Sequence, residues 1–389
     1  IGNTFLAKGD FDLATRSYQR SLEINPDNEK THNNMGNALE SNGKFDLAIM
    51  SYEQAIKINP RCAKSYNNLG TIMLEKGEVD EALSKFRQAL KLEPNYHNAL
   101  LNSANVYLLR GDLKTGFRLY EWRYKKKENP PIRAPRPALL WDRKESLKDK
   151  NFYVYEEGGL GDVIQFCRYL PVLEKNGARV TFEVRKSLHK LLGTMNCNAT
   201  LNTKEPKKNE IDFEAPLMSL PYLLGIENSD MKPAFSYLKA DSDLIKKWRK
   251  KLGGNRFKVG ICWQGSTRKI DRNRSFPVSF FKDIANTPDV ELISLHKGHG
   301  EEQLKDIDFK VKTLGKNFDK GENSFLDTAA VMENCDLIIT SDTSIAHLAG
   351  ALGRPTWVIL KRVPDWRWRE RGANCLWYES VTLYRQKIL

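Results

Sequence analysis

A period of 34 residues runs through the first third of this chain. Four residue classes keep that step: glycine at Gly9, Gly43, Gly77 and Gly111, proline at Pro26, Pro60 and Pro94, an aromatic ring at Tyr18, Tyr52, Phe86 and Tyr120, and a small residue at Ala14, Ala48, Ala82 and Gly116. Glycine supplies the positive φ that ends one helix, and proline stops the next. Each period therefore predicts two short helices, and the stacked pairs predict a curved array with a concave face.

The period and these anchors resemble tetratricopeptide (TPR) repeats, with about four units in residues 1–128. Asparagine also recurs in register in the first helices, at Asn34, Asn68 and Asn102, beside Asn33 and Asn67. An asparagine amide can bond both the N–H and the C=O of an extended peptide, so this column predicts a peptide-binding face. The column is similar to that of O-linked N-acetylglucosamine transferases, where it holds protein substrates. Packing between repeats is the alternative, although the poor helix propensity of asparagine favours binding.

The formal net charge of +13 calls for a partner of opposite charge. Nucleic acid, an acidic protein and phosphorylated small molecules all fit, but no RRM, KH or zinc pattern appears, so we expect no nucleic-acid partner. No apolar run approaches the ~18 residues of a membrane span, so no transmembrane segment is expected. The six cysteines form no CxxC pair, which argues against a zinc site and a disulfide framework and predicts a reducing compartment. We therefore expect a cytoplasmic location, with a position peripheral to the inner face of the membrane as the alternative. Because residue 1 is Ile, we also expect a fragment of a longer chain.

Two further kinds of segment follow the repeats. Residues 129–150 are basic and proline-rich and predict a linker, which Trp141 docks onto a neighbour. From residue 151 short apolar runs alternate with helical stretches, which predicts parallel sheets covered on both faces. A break in this pattern divides a shorter unit, 151–235, from a longer one, 236–389. Ligands are then expected at the carboxyl ends of the strands, in a cleft between the two units.

Two polar loops follow predicted strands in these units. The first, EEGGLGDVIQF, places Gly161 where another group can approach closely, and Asp162 at the start of a helix. Asp162 is either a base at the mouth of the cleft or an acidic residue favoured by the helix dipole. The second loop, WQGSTRKIDRNRSFP, combines hydroxyl, amide and guanidinium groups with an open backbone. These groups belong to Gln264, Gly265, Ser266 and Arg274. Such a concentrated positive field suits phosphate, and a solvated basic loop is the alternative.

The segment SDTSIAHLAGALGRP joins two apolar runs, CDLIIT and TWVIL. Thr343 or Ser344 can cap the helix that follows, and His347 lies one turn further on the face of Thr343. Asp342 can bond a sugar hydroxyl or hold the loop. The free N–H groups and the dipole at the helix start predict an anion site. A helix cap with a half-buried histidine explains part of this segment, but not four polar groups at one strand end.

Together, GGLGDVIQF, VGICWQGS, RNRSFP, SDTSIAHLAGALG and the tail DWRW…WYES…LYRQ resemble glycosyltransferase family 9, which includes the heptosyltransferases. The resemblance covers about residues 151–389 and implies the GT-B fold, in which two Rossmann-like domains face a cleft. The predicted fold class is therefore an all-α TPR superhelix followed by an α/β GT-B region. With the repeats in front, the whole chain resembles bacterial TPR-containing glycosyltransferases.

The resemblance also implies roles for individual residues. Asp162 would be the catalytic base that deprotonates the acceptor hydroxyl. Ser266 and Arg274 match positions that contact the phosphates of the donor, and an acidic family position falls on Glu301 or Glu302. The donor-binding DTxxxH segment matches Asp342, Thr343, Ser344 and His347. Gly161, Gln264, Gly265 and Lys297 complete the expected donor-binding set. No metal or other cofactor is expected, because arginine and helix N–H groups can carry the leaving charge.

These observations predict an inverting nucleotide-sugar glycosyltransferase whose repeats hold a protein or peptide acceptor. One alternative is a TPR scaffold with a non-catalytic nucleotide-sugar-binding domain. A transferase acting on a lipopolysaccharide-type glycan is another. The sequence identifies neither the sugar nor the nucleotide.

Overall fold

The computed structural model describes residues 1–125, 133–227, 235–265, 274–321 and 324–387. The chain divides into two compact units, Ile1–Pro131 and Ile132–Leu389. Among the predicted site residues, Ser266 lies outside the described residues. The finer boundaries predicted from the sequence, after residues 128, 150 and 235, stay predictions.

Paired helices build the first unit. The first members of the pairs are α1 (Gly2–Lys8), α3 (Glu29–Ser41), α5 (Ala63–Glu75) and α7 (His97–Arg110). The second members are α2 (Phe11–Ile24), α4 (Phe45–Ile58), α6 (Val79–Leu92) and α8 (Leu113–Tyr120). The glycines that follow the first helices all have positive φ, between 76° and 85°. The predicted helix pairs and their glycine turns are therefore confirmed.

Small residues let the two helices of a pair approach closely. A methyl group added to Gly36 would lie 2.5 Å from the ring of Tyr52, and one added to Gly70 would lie 2.6 Å from the ring of Phe86. Both rings are fully buried, as is Ala48 in the helix of Tyr52. Gly36 and Gly70, each with the aromatic residue of the 34-residue period in the following helix, therefore form the seam within these two pairs.

The second unit begins with a parallel sheet in the order β3-β2-β1-β4. Its strands are β1 (Asn151–Tyr155), β2 (Arg179–Glu183), β3 (Thr200–Asn202) and β4 (Phe213–Pro216). The helices of this region are α9 (Leu160–Phe166), α10 (Leu170–Lys175), α11 (His189–Leu192) and α12 (Leu220–Leu223). Strand β1 pairs with β2 on one side and with β4 on the other. The loop after β1 therefore leaves the sheet where the strand order reverses, which is where ligands bind in open α/β sheets.

A second parallel sheet follows, in the order β10-β9-β8-β5-β6-β7. Its strands are β5 (Phe257–Cys262), β6 (Val290–Ser294), β7 (Val311–Lys312), β8 (Leu337–Ser341), β9 (Thr356–Leu360) and β10 (Val381–Arg385). Its helices are α13 (Ser242–Leu252), α14 (Lys282–Ala285), α15 (Leu326–Met332) and α16 (Ser344–Ala351). Because β5 and β8 are parallel neighbours, the loops after them leave the same edge of the sheet. The two predicted parallel sheets are confirmed, and β3 and β10 are strands that the sequence patterns did not predict.

Part of the predicted linker packs on the first sheet. The side chain of Glu214, in β4, is fully buried and accepts a hydrogen bond from the Arg136 backbone N–H at 2.5 Å. The guanidinium of Arg136 also binds this carboxylate, and Arg133 donates to it at 3.3 Å. The ring of Trp141 meets Phe152 of β1 edge-on, with centroids 6.1 Å apart. Residues 133–141 are therefore part of the α/β unit and not a free connection.

Candidate active site

Asp162 lies in the first turn of α9, directly after the loop that ends β1. Its Oδ2 accepts a hydrogen bond from the Gly159 N–H at 2.6 Å, which closes the start of the helix. Gly158 has a φ of 75°, and a methyl group there would lie 2.3 Å from this same oxygen. The glycines of the loop therefore let the carboxylate fold back over its own backbone. Asp162 therefore stabilises the start of α9 through Oδ2, as an acidic residue in the first helical turn is expected to do, and its Oδ1 is directed at other groups.

Helix α16 begins at the carboxyl end of β8. Thr343 is its N-cap, and its Oγ1 accepts a hydrogen bond from the Ile345 N–H at 3.3 Å. The same hydroxyl contacts that of Thr340 at 3.1 Å. Ser344 is the first residue of the helix. The predicted cap is therefore Thr343, which leaves the hydroxyl of Ser344 at the helix start where the dipole favours an anion.

His347, one turn into α16, is buried and held on two sides. Its Nδ1 lies 3.0 Å from the hydroxyl of Tyr378, and its ring stacks on Trp368 with centroids 5.1 Å apart. Burial, and then the positive charge of Arg367, lower the pKa of His347 well below its ordinary value. This lowered pKa favours the neutral form of the imidazole.

The loop after β1 and the start of α16 are in direct contact. A methyl group added to Gly161 would lie 2.9 Å from Cδ2 of His347 and 3.4 Å from Cα of Ser344. Only a residue without a side chain fits here without a shift of its neighbours. The two motifs that the sequence places far apart therefore meet across the two sheets.

A second group of predicted residues gathers around Asp342. Its Oδ2 lies 3.8 Å from Nη1 of Arg274, and the side chain is almost fully buried. Burial, and then the neighbouring Asp365 carboxylate, raise the pKa of Asp342 to about 6, while Arg274 opposes that rise. A methyl group at Gly265 would lie 3.5 Å from both Arg274 and Thr343. The loops after β5 and β8 therefore form one polar cluster at the edge of the second sheet.

Four other predicted residues make hydrogen bonds within the second sheet's own loops. Gln264 accepts a hydrogen bond from the side chain of Gln303 at 2.8 Å. Lys297 donates to the carbonyl oxygens of Phe318 and Asp319, at 2.8 and 2.6 Å. Glu301 and Glu302 accept hydrogen bonds from the backbone N–H groups of Gly298 and Gly300. Their expected roles toward the donor stay predictions.

The tail after β9 contributes a residue that the sequence analysis did not single out. Arg367 donates through Nη2 to Oδ1 of Asp162 at 2.5 Å. The flanking Trp366 and Trp368 are buried, which makes them packing residues. The motif DWRW was visible in the sequence, but an arginine between two tryptophans does not reveal a carboxylate partner 205 residues away.

Part of the asparagine column, Asn67, Asn68 and Asn102, lines a groove of about 400 Å³ in the repeat unit. Asn68 donates to Asn33 at 3.2 Å and to Asn37 at 2.9 Å, both in the preceding repeat. Asn102 donates to Asn67 in the same way at 3.0 Å, and Asn34 donates to Asn3 at 3.3 Å. These amides therefore join neighbouring repeats, as the packing alternative describes, while Asn68 and Asn102 also line the groove.

Known protein families match segments in both halves of the chain. Residues 2–43 match a TPR repeat family, and residues 29–62 and 63–96 match tetratricopeptide repeat families. Residues 204–368 match glycosyltransferase family 9 (heptosyltransferase). The chain thus carries N-terminal TPR repeats and a C-terminal glycosyltransferase family 9 domain.

This chain shares 24–28% sequence identity with the following three individual proteins. Protein FlbA of Caulobacter vibrioides is 24% identical over 298 residues, which cover 69% of this chain and 48% of that protein. The chain therefore spans about half the length of this curated relative. Among solved structures, the crystal structure of MamA is 28% identical, covering 33% of this chain and 74% of that one, with a TM-score of 0.30. The first TPR of Spaghetti (RPAP3), bound to an HSP90 peptide, is 25% identical, covering 27% of this chain and 83% of that one, with a TM-score of 0.26.

The described residues contain neither a membrane-spanning helix nor a cluster of metal-ligating side chains. Within residues 1–125, 133–227, 235–265, 274–321 and 324–387, no helix has the length and apolar character needed to span a membrane. In the same residues, no three His, Cys, Asp or Glu side chains are grouped so that they could hold a metal ion. Catalysis without a metal stays a prediction.

Proposed function

We propose that the α/β unit transfers a sugar from a nucleoside-diphosphate donor to an acceptor hydroxyl by a single, inverting displacement. The observation that carries the proposal is the meeting of the Gly161–Asp162 loop with the start of α16. This contact brings a carboxylate, a helix N-terminus and the polar cluster around Asp342 to the carboxyl edges of two parallel sheets. The match of residues 204–368 to glycosyltransferase family 9 supports it.

In this mechanism Asp162 accepts the proton of the acceptor hydroxyl as its oxygen attacks the anomeric carbon. The bond from that carbon to the diphosphate oxygen breaks, and the electron pair leaves with the nucleotide. The N–H groups at the start of α16 and the guanidinium of Arg274 stabilise the charge that develops on the phosphates. One displacement gives inversion at the anomeric carbon.

We further propose that the TPR repeats hold a protein or peptide acceptor. The groove that Asn68 and Asn102 line has a volume of about 400 Å³, and most of its lining residues are asparagine, serine, threonine or glutamate, which can bond a peptide backbone. The amide N–H groups of Asn68 and Asn102 bind the preceding repeat. Their carboxamide oxygens can still accept a hydrogen bond from a peptide N–H, because each oxygen has two lone pairs. A lipopolysaccharide-type glycan is the second candidate acceptor, since the matched family is described as heptosyltransferase.

The test combines donor binding and transfer. The full chain is titrated with ADP, GDP and UDP by calorimetry, and release of nucleoside diphosphate from the matching sugars is then measured. Asp162→Asn is expected to lower transfer by about 10²–10⁴-fold with donor affinity within threefold of the wild type. Wild-type transfer rates in Asp162→Asn would reject the base assignment, and a wild type that binds no nucleotide would reject the enzyme.

The acceptor is tested in the same assay with two sets of acceptors. Serine- and threonine-containing extended peptides are offered in parallel with lipid-A core oligosaccharides, and products are detected by intact mass. We expect one sugar mass to be added to peptides. Addition to the oligosaccharides alone would replace the peptide acceptor with the glycan.

A further inference from the structure

We propose that Arg367 is a positioning residue that fixes the orientation of the Asp162 carboxylate for proton transfer. This inference rests on the function proposed above, and it assigns a role in that site to the tail between β9 and β10. Arg367 lies in the tail that follows β9 of the second sheet, whereas Asp162 lies in α9, which follows β1 of the first sheet.

Three N–H groups of Arg367 go to three different acceptors. Nη2 donates to Oδ1 of Asp162 at 2.5 Å, Nε donates to Oε1 of Gln165 at 2.9 Å, and Nη1 donates to Oδ1 of Asp365 at 2.8 Å. Asp162 and Gln165 lie three residues apart on α9, so one planar guanidinium binds two side chains of the same helix face. A fork of this kind sets direction as well as distance.

Packing prevents the guanidinium from turning away. Arg367 is buried, and its Cζ lies 4.3 Å from the ring centroid of Trp366 and 5.9 Å from that of Phe166. The backbone is held too, because the indole N–H of Trp377 donates to the Arg367 carbonyl at 2.6 Å. A lysine offers neither the planar fork nor the stacking surface, so it would not reproduce this arrangement.

The consequence for Asp162 is that both carboxylate oxygens have fixed partners. Oδ2 is held by the Gly159 N–H and Oδ1 by Arg367. The carboxylate therefore cannot rotate about its χ2 bond without losing one of them. A second lone pair on each oxygen remains for the proton of the acceptor. Holding a reacting group in this way lowers the barrier without adding affinity for the substrate.

The charges around the pair come from every packed element. On the tail, Asp365 shares Arg367 with Asp162. On the second sheet, Asp342 and His347 both interact electrostatically with Arg367, and Arg274 acts on both of them. Arg367 therefore lies between the carboxylates of Asp162 and Asp365, which would otherwise repel each other across the cleft.

The chain contains a matched control for the order of the tail. Arg385, in β10, donates to the carbonyl oxygens of Arg369 and Gly372, at 2.9 and 3.0 Å, and also to that of Trp368. It holds the same tail and has no hydrogen bond or ion pair with Asp162 among the contacts of the described residues. A loss of tail order should appear in variants of both arginines, but a loss of carboxylate orientation only in variants of Arg367.

The experiment compares Arg367→Gln, Arg367→Lys, Arg367→Ala and Arg385→Gln in the full chain. For each variant kcat and donor KM are measured with the nucleotide sugar that the wild type turns over, together with the melting temperature. Arg367→Gln is expected to lower kcat by about 10–100-fold, with donor KM within threefold of the wild type. Arg367→Lys should recover only part of that loss, and millimolar guanidinium should raise kcat of Arg367→Ala but not of Arg385→Gln.

Each outcome separates the inference from the function on which it rests. If the wild type turns over no nucleotide sugar, the proposed function fails. If the wild type is active but Arg367→Gln loses no more kcat than Arg385→Gln at equal melting temperature, the positioning role is wrong and the function stands. A change confined to donor KM would make Arg367 a donor-binding residue and would also overturn the inference.

Discussion

Replacing Gly161 with alanine tests the contact on which the candidate site depends. The added methyl group would lie 2.9 Å from Cδ2 of His347, closer than carbon atoms approach in folded proteins. His347 cannot withdraw easily, because it stacks on Trp368 and bonds Tyr378. We therefore expect the loop after β1 to move instead, and Asp162 to move with it.

Two opposing effects determine how much Gly161→Ala changes the free energy of unfolding. Alanine is a better helix former than glycine by up to about 1 kcal/mol, and Gly161 lies within α9. Overpacking a well-filled site costs about 1–3 kcal/mol. Because the steric contact is to a buried ring and to backbone, the second effect should win, giving a net loss of about 1–2 kcal/mol. A displacement of the carboxylate by ~1 Å would also lower kcat by about 100-fold.

A double-mutant cycle with His347→Ala isolates the cause. The free energy of unfolding is measured by urea denaturation followed by tryptophan fluorescence, since seven of the eight tryptophans lie in the α/β unit. In the His347→Ala background the contact that remains is with Cα of Ser344 at 3.4 Å, an ordinary van der Waals distance, so Gly161→Ala should cost little or stabilise the helix. The expected coupling is at least ~1 kcal/mol, and additivity of the two substitutions within about 0.5 kcal/mol would refute the contact.

Two further predictions concern buried carboxylates. The folded state raises the pKa of Asp342 to about 6 from 3.8, so it holds this proton more tightly than the unfolded state does and loses stability as pH rises between those values. The side chain of Asp342→Asn cannot ionise, so this variant lacks that loss of stability. The difference in melting temperature, variant minus wild type, should therefore increase between pH 4.5 and pH 7.5 by the equivalent of roughly 1–3 kcal/mol. A difference that stays constant with pH would contradict this prediction. Glu214→Gln removes the charge that binds Arg133 and Arg136, which should weaken the docking of this segment by about 1–3 kcal/mol. Trypsin should then cleave after Arg133, which is followed by Ala134, at least several-fold faster than in the wild type, and an unchanged cleavage rate would mean that Glu214 does not hold the segment.

Local patterns predicted much of the architecture. The 34-residue period determined the helix pairs, because each glycine and aromatic position acts within one repeat or its neighbour. The apolar runs around Val154, Ile261 and Ile339 predicted buried parallel strands, and the polar residues after them predicted loops at the carboxyl edges. Strand β3 pairs with residues 181–183 of β2, and β10 pairs with residues 356–360 of β9. The sequence patterns missed both strands because their stability depends on these neighbours and not on a strong pattern of their own.

The asparagine column shows where a local pattern stops being informative. Its 34-residue step is equally compatible with a peptide-binding surface and with bonding between repeats. The hydrogen bonds from Asn68 to Asn33 and Asn37 show that repeat stacking uses these amides. Binding of an acceptor by the same amides depends on the chemistry of that partner, and a repeated spacing within the chain contains no information about it.

The amino-acid sequence alone determined the classes of element and the residues at strand ends, because periodicity, helix capping and glycine turns act over a few neighbouring residues. Only the tertiary structure decided that Gly161 lies against His347 and that Arg367 binds Asp162. Those contacts depend on how two sheets and a distant tail pack together, and the energy of such packing is shared by residues hundreds of positions apart. The base of the proposed reaction was therefore visible in the chain, whereas the arginine that orients it was not.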